Sequence, residues 1–401
     1  MRKRKRTIRR VVPAVHPRCL LLSVVLGVCL SLFFYLVSAA CQSRGTDPTS
    51  GTEWLCSQSL FMHIGQKPVS AAAETGLEDP ELTAAQGSLD TTAVYPGGFP
   101  IGIYLRTKGV LVVRTAAVPD STGNLLEPAE GLLEPGDCIT AVNGEEVCTK
   151  ETFQEIVSRS GGQPVTLTRE RNGEQTSFSI APVSQADGSF RLGIWIKDDT
   201  QGIGTMTYLT ADGHFGALGH PISDADTGQM VLARDGGLYE ARVKMIIRGT
   251  SGSPGSYSGV ICYSQESKLG TICENSRNGI FGTIDPQKLV GFLTGEPCRT
   301  APKDEVSCKE AVLRCTLSGE TKEYQIRILQ KRAGARPEQG FLFQVTDPEL
   351  LEKTGGIVQG MSGAPILQDG RLIGAVTHVF VQDSSKGYGI YIEDMRKESG
   401  G

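Results

Sequence analysis

From Tyr95 onward, apolar and polar residues alternate in short runs, interrupted every few positions by Gly, Asp, Asn or Pro. Phe99-Pro-Ile-Gly-Ile-Tyr-Leu105 leads into Gly109-Val-Leu-Val-Val113, and later runs include Ile139-Thr-Ala-Val142, Pro164-Val-Thr-Leu-Thr168 and Thr176-Ser-Phe-Ser-Ile180. A period of two in runs of this length predicts strands. Helical spacing is clear in Thr149–Ser158, which sets Phe153, Ile156 and Val157 on one face. Arg171-Asn-Gly-Glu174 reads as a hairpin turn between two of the strands. From Phe190 the runs are Leu192–Ile196, Gly204–Tyr208, Met230–Ala233, Val243–Ile247, Lys322–Leu329 and Gly340–Val345. Helical periods are scarce there, so an all-β barrel or sandwich is expected. Two segments echo each other, Gly216-Ala-Leu-Gly-His220 and Gly374-Ala-Val-Thr-His378, as two related halves would.

The start of the chain has a different pattern. Arg2–Arg6, Arg9, Arg10 and Arg18 crowd the N-terminus, and the run Cys19–Ala40 that follows carries no charge. About 20 apolar residues span a bilayer as a helix. Residues 1–41 therefore read as a basic cytoplasmic tail and an uncleaved transmembrane anchor, with everything beyond Gln42 across the membrane. Val37-Ser-Ala39 leaves a signal-peptidase site as the alternative. Ser38-Ala-Ala-Cys41 lacks the leucine of a lipoprotein box. Residues 42–94 are rich in Ser, Thr, Ala and Gly without sustained periodicity, and read as a flexible linker. At 401 residues the remainder suffices for two domains, drawn at 95–184 and 190–401.

A net charge of −4 gives no case for nucleic-acid binding. Nine of the eleven cysteines lie outside the apolar run and would face a space where disulfides form. Cys262 with Cys273 and Cys298 with Cys308 can pair on spacing, but sequence leaves connectivity open. No C-x-x-C occurs, so no metal site and no cofactor is implied.

Gly360-Met-Ser-Gly-Ala-Pro365 sets one serine between two glycines. The turn resembles the Gly-x-Ser-Gly-x-Pro nucleophile turn of chymotrypsin-like serine peptidases. In such a turn, N–H groups near the serine point at the oxygen that becomes negative in acyl transfer. Gly249-Thr-Ser-Gly-Ser-Pro254 has the same spelling, so at least one of the two is ordinary turn chemistry. A nucleophilic serine needs a base. His63 lies in the linker, and His378 sits in an apolar run that reads as a packed strand. His220, in a Gly-His-Pro turn with acids just beyond, is favoured, with His214 and His378 left as alternatives.

Two resemblances sharpen this reading. Leu133-Glu-Pro-Gly-Asp137 followed by Ile139-Thr-Ala-Val-Asn-Gly144, together with the order of elements over Tyr95–Val183, resembles a PDZ domain. The resemblance implies a groove that adds a peptide as an extra strand, with Phe99-Pro-Ile-Gly-Ile103 as the carboxylate-binding loop and Ile101, Gly102 and Ile103 as peptide-binding residues. Gly202-Ile-Gly-Thr-Met-Thr207, Phe215–Gly228, Asn278–Thr283 and Val345–Pro365 are similar to the SpoIVB peptidases, the stage IV sporulation protein B family. That resemblance implies a chymotrypsin-like double β-barrel with His220, Asp347 and Ser362 as its catalytic residues and the N–H groups of Gly360 and Ser362 as the oxyanion hole. Asp347 is unusually close to the serine for this fold, so Asp224 and Asp226 remain rivals. Ala364 stands where many relatives have serine.

The resemblance also implies a place and partners. The chain would be anchored in the forespore inner membrane with its folded part in the intermembrane space. It would cleave itself and the regulatory subunit of an intramembrane-protease complex, signal activation of a late mother-cell sigma factor, and answer to an inhibitory protein. The rival from another class is an inactive PDZ adaptor on the same anchor, from which a fluorophosphonate probe on Ser362 discriminates.

Overall fold

The computed structural model describes residues 93–397 apart from Thr294 and Ala335. The basic tail, the apolar run, most of the linker, His63 and four of the cysteines lie outside these residues. Among the described residues, no helix is long and apolar enough to cross a membrane.

Two strands of sixteen residues, Pro100–Thr115 and Ile194–Leu209, organise the molecule. They pair antiparallel from Pro100 opposite Thr205 to Thr115 opposite Ile194. Register shifts at Trp195/Ile196 and Lys197/Asp199 bend the ribbon, as bulges do. Its two ends belong to different bodies.

At one end, Pro100–Thr115 also pairs with Ala233–Ile247, which continues through Lys268–Ser276, Gly279–Ile284 and His214–Ala217 back to Ile194–Leu209. Six antiparallel strands thus close into a first barrel, packed inside by Ile101, Ile103, Leu105, Met206, Phe215, Leu238 and Ile272. At the other end, Val110 and Leu111 pair with Cys138–Val142, which leads through Val165–Arg171 to Glu174–Ile180. The helix Lys150–Arg159 covers this smaller sheet, capped by Thr149 Oγ1 and burying Phe153, Ile156 and Val157 as its spacing predicts. The turn between the last two strands has Asn172 and Gly173 at φ 52° and 82°, the left-handed pair that a two-residue hairpin requires. The PDZ-like body is therefore inserted between the first two strands of the barrel and shares both.

The segment Phe99–Ile103, expected to be a peptide-binding loop, instead leads into and begins the strand Pro100–Thr115. Gly102 lies opposite Ile203 on one side and Tyr239 on the other, and a Cβ there would come within 2.4 Å of Ile261 Cγ2. Ile101 and Ile103 point into the first barrel's core. With both edges paired, no incoming strand can add to them. These three residues are not a peptide site.

The second barrel is closed by Glu310–Leu317, Glu320–Lys331, Phe341–Val345, Lys386–Tyr391, Arg371–Val379 and Pro365–Gln368. Strict alternation builds it: Ala311, Leu313, Cys315 and Leu317 on one strand face inward toward Tyr324, Ile326 and Ile328 on the next. Each inward residue removes apolar area from water at about 25 cal/mol per Å2. None of the seven described cysteines is bonded to another, so neither pair allowed by spacing forms here.

Candidate active site

The turn that carries Ser362 lies between Val358–Gln359 and Pro365–Gln368, where the second barrel meets the first. Three of its carbonyls are tied to the strand Ile194–Leu209. Thr205 Oγ1 donates to Gly360 O at 2.7 Å, Thr205 N to Ser362 O at 2.9 Å, and Thr207 Oγ1 to Gly363 O at 2.7 Å. Thr205 and Thr207 are buried, so these bonds form out of reach of water. Ser362 N–H has no protein partner among the described residues, as a donor reserved for an oxyanion would be. Gly360 has φ 103°, and Gly363 has φ 94° with a Cβ position only 2.1 Å from Thr205 O. Any side chain at Gly363 would push the turn off the first barrel.

The same close approach places the histidine. A Cβ on Gly363 would lie 2.5 Å from Leu218 N, in the turn Leu218-Gly219 that precedes His220. Leu218 has φ 69°, a left-handed conformation that costs a β- or γ-branched residue roughly 1–3 kcal/mol and persists only where surroundings enforce it. The turn swings His220 out of the first barrel toward the second, where its ring lies 5.1 Å from that of His378. His220 Nδ1–H donates to the carbonyl of Pro221 at 2.8 Å. That bond fixes the tautomer and leaves Nε2 as an acceptor. Burial pushes the imidazole down to about 4, so it is neutral, and basic at Nε2, at physiological pH.

Ser362 Oγ does not meet His220. It donates to the carbonyl of Thr377 at 2.8 Å, and among the described residues no hydrogen bond joins the two side chains. Thr377 precedes His378 and approaches Gly219, so the carbonyl that holds Ser362 Oγ belongs to a strand packed against the turn that precedes His220. Catalytic hydrogen bonds are often loose in a free enzyme and tighten on substrate.

Among the described residues, no hydrogen bond joins Asp347 to His220. Its Oδ1 accepts from Glu349 N and Leu350 N, capping the helix Pro348–Thr354, and its Oδ2 accepts from Gln325 N at 3.2 Å. The rivals Asp224 and Asp226 are held by Lys197, and Asp224 also takes two N–H groups of its own loop. His214 is exposed at the far end of its strand beside Asp212. Ser251 donates to Gln382 O at 2.9 Å in an exposed turn with no histidine partner. His378, kept as an alternative base but expected to pack in its strand, instead has an exposed side chain whose ring neighbours that of His220. The echo between Gly216–His220 and Gly374–His378 was the one signal that paired the two histidines.

A groove lies elsewhere, on the PDZ-like body. It has a volume of about 720 Å3 and runs between the helix Lys150–Arg159 and the segment Phe190–Ile196. Phe153, Val157 and Leu192 form its apolar floor, while Arg114 and Arg191 stand exposed on its rim. Residues 194–197 pair with Pro100–Thr115 along one edge only. Leu192-Gly-Ile194, with Gly193 at φ 66°, is thus the loop that opens onto an unpaired strand edge. It holds the place that sequence reading gave to Phe99–Ile103.

A double six-stranded barrel with a Gly-x-Ser-Gly turn where the barrels meet, and a PDZ body inserted in the first, is the architecture of a serine endopeptidase. Residues 188–396, more than half of the chain, match the SpoIVB peptidase S55 family, and the chain belongs to that family. Residues 113–185 match the Tricorn protease PDZ domain. Among solved structures, the Rv3671c protease from M. tuberculosis in its active form is 13% identical over 50% of this chain and 75% of its own, with a TM-score of 0.30. The PDZ domain of an SdrC-like protein from Listeria monocytogenes is 20% identical over 22% and 87%, with a TM-score of 0.19. The HtrA-type protease AlgW with a tripeptide is 12% identical over 49% and 54%, with a TM-score of 0.30. No curated protein matches the chain.

Proposed function

We propose that this endopeptidase is a membrane-anchored signalling protease that cleaves its own linker and a regulatory protein of an intramembrane-protease complex in the space between the forespore membranes. Membership of the SpoIVB peptidase S55 family supports the sporulation setting, and the uncharged run Cys19–Ala40 behind a basic tail supports the anchor. In the reaction, Ser362 Oγ leaves the Thr377 carbonyl and attacks a peptide carbonyl while His220 Nε2 takes its proton. The N–H groups of Gly360 and Ser362 receive the developing oxyanion. The observation that carries this reading is the placement of Ser362. Its turn is pinned to the first barrel through three carbonyls, and its own N–H has no protein partner among the described residues.

The PDZ groove takes an extended segment of the protein substrate along the free edge of residues 194–197. Arg114 and Arg191 favour a terminal carboxylate or acidic side chains there. The test of the enzymatic core is a fluorophosphonate probe on the full chain. It is expected to label Ser362, and to fail on Ser362→Ala; absence of labelling on folded wild-type protein would refute the reading.

A further inference from the structure

Past Glu240, the strand Ala233–Ile247 leaves the first barrel and, among the described residues, pairs only with Gly255–Ile261, forming a two-stranded arm. A register shift between Val243 and Met245 bends the arm, and alternation gives it two faces. Ile246 and Tyr257, directly opposite each other, pack against the core of the second barrel. Met245 and Ile247 stand 57% and 50% exposed on the other face. The tip is the second Gly-x-Ser-Gly-x-Pro segment, Gly249–Pro254, and it docks on segments that precede and follow the serine turn in the chain. Gly249 N donates to Thr354 O at 2.9 Å, Gly252 N to Val381 O at 3.0 Å, and Ser251 Oγ to Gln382 O at 2.9 Å. Below the tip, Gly255 and Ser256 pair in parallel with Val358 and Gln359, the two residues before Gly360. The Tyr257 ring lies against Gly360 itself, where a Cβ would come within 2.6 Å of ring atom Cδ2.

We infer that Tyr257, carried on this arm of the first barrel, is a positioning residue that holds Gly360 and with it the turn that aims the Ser362 N–H. The inference rests on the serine-peptidase reading above. An N–H group stabilises a developing oxyanion only when it is already oriented. Gly360, at φ 103°, has no side chain with which to fix its own peptide planes, and the tyrosine ring supplies that restraint from outside. Thr205 and Thr207 hold the carbonyls of the turn, while the arm holds the residues that lead into it. The second serine motif thereby has a use without a nucleophile. Two of its three docking bonds come from the main chain, so the arm stays docked when the Ser251 hydroxyl is removed.

A fluorophosphonate reads the orientation directly. Ser362 Oγ bonds to phosphorus, fluoride leaves, the hydroxyl proton goes to His220 Nε2, and the phosphoryl oxygen draws on the oxyanion donors. Saturation kinetics on the full chain separate the half-saturating probe concentration from the limiting rate of bond formation. Tyr257→Leu keeps apolar bulk against the second barrel. Its limiting rate is expected to fall about tenfold, less than the roughly hundredfold loss of a whole oxyanion donor, with half-saturation unchanged. Tyr257→Phe, which removes only the hydroxyl 3.4 Å from Thr316 O, should keep the wild-type limiting rate, as should Met245→Ser on the exposed face. A merely structural residue would lower the melting temperature and the fraction labelled, and leave the limiting rate of folded molecules alone. Gly252→Pro, at the exposed tip and outside either core, removes the N–H on Val381 and should lower the same rate. The inference is overturned if folded Tyr257→Leu keeps the wild-type limiting rate, if its loss lies wholly in half-saturation, or if Tyr257→Phe loses as much. Should Tyr257→Leu not fold, a wild-type limiting rate in Gly252→Pro overturns it instead. A wild-type chain that never labels would refute the peptidase reading itself.

Discussion

Ser362 and Ser251 show how little a motif says without its surroundings. Both lie in Gly-x-Ser-Gly-x-Pro turns, yet one hydroxyl donates to the Thr377 carbonyl, in a turn pinned between the barrels, and the other to a surface carbonyl. Ser251→Ala is therefore expected to keep probe labelling at the wild-type rate while Ser362→Ala abolishes it. His220 makes a second prediction at this scale. The base works only when neutral, and burial holds its value near 4 against an ordinary 6.5. Labelling should persist as pH falls through 6.5 and decline with a midpoint near 4, because the free enzyme's base sets the acidic limb. A midpoint near 6.5 on folded protein would mean that the ring is solvated. Asp347 has a structural part at this scale as well, as a helix cap. Asp347-Pro-Glu carries an N-cap followed by proline at the first helical position, a helix-start signal that was legible in the sequence.

Among the elements, the two sixteen-residue strands matter most, because each serves the barrel with one half and the PDZ body with the other. Peptide recognition and chemistry are thereby joined by a continuous hydrogen-bonded ribbon. The prediction at this scale contrasts two substitutions. Gly102→Glu should lower the melting temperature and abolish labelling, since a buried position 2.4 Å from Ile261 cannot take a charged side chain. Ser158→Trp, on an exposed helical position lining the groove, should leave melting and labelling unchanged yet slow cleavage of the protein substrate. If Ser158→Trp cut that substrate at the wild-type rate, the groove would have no part in its recognition.

For the whole molecule, the proposed anchor would make residues 42–94, between it and the peptidase, the natural release point, since unpatterned polar sequence is cut most readily. Full-length protein is expected to shorten by cleavage within residues 42–94, and Ser362→Ala should stay intact. N-terminal sequencing that placed the cut beyond residue 109, inside the PDZ body, would contradict this. A second molecule of wild type cutting the Ser362→Ala chain would show that the event runs between copies.

Sequence by itself determined the local features: the strand content, the Asn172-Gly173 hairpin, the helix face of Phe153, Ile156 and Val157, and the serine turn. Each depends on residues within a few positions of one another, where periodicity and turn chemistry act directly. Tertiary structure alone decided that Gly102 lies between Ile203 and Tyr239, that Leu192–Ile194 opens the groove, and that the serine turn is pinned to the first barrel by Thr205 and Thr207. Those outcomes are set by which strands close each barrel. Closure joins residues more than a hundred positions apart, through packing and pairing that no local pattern encodes.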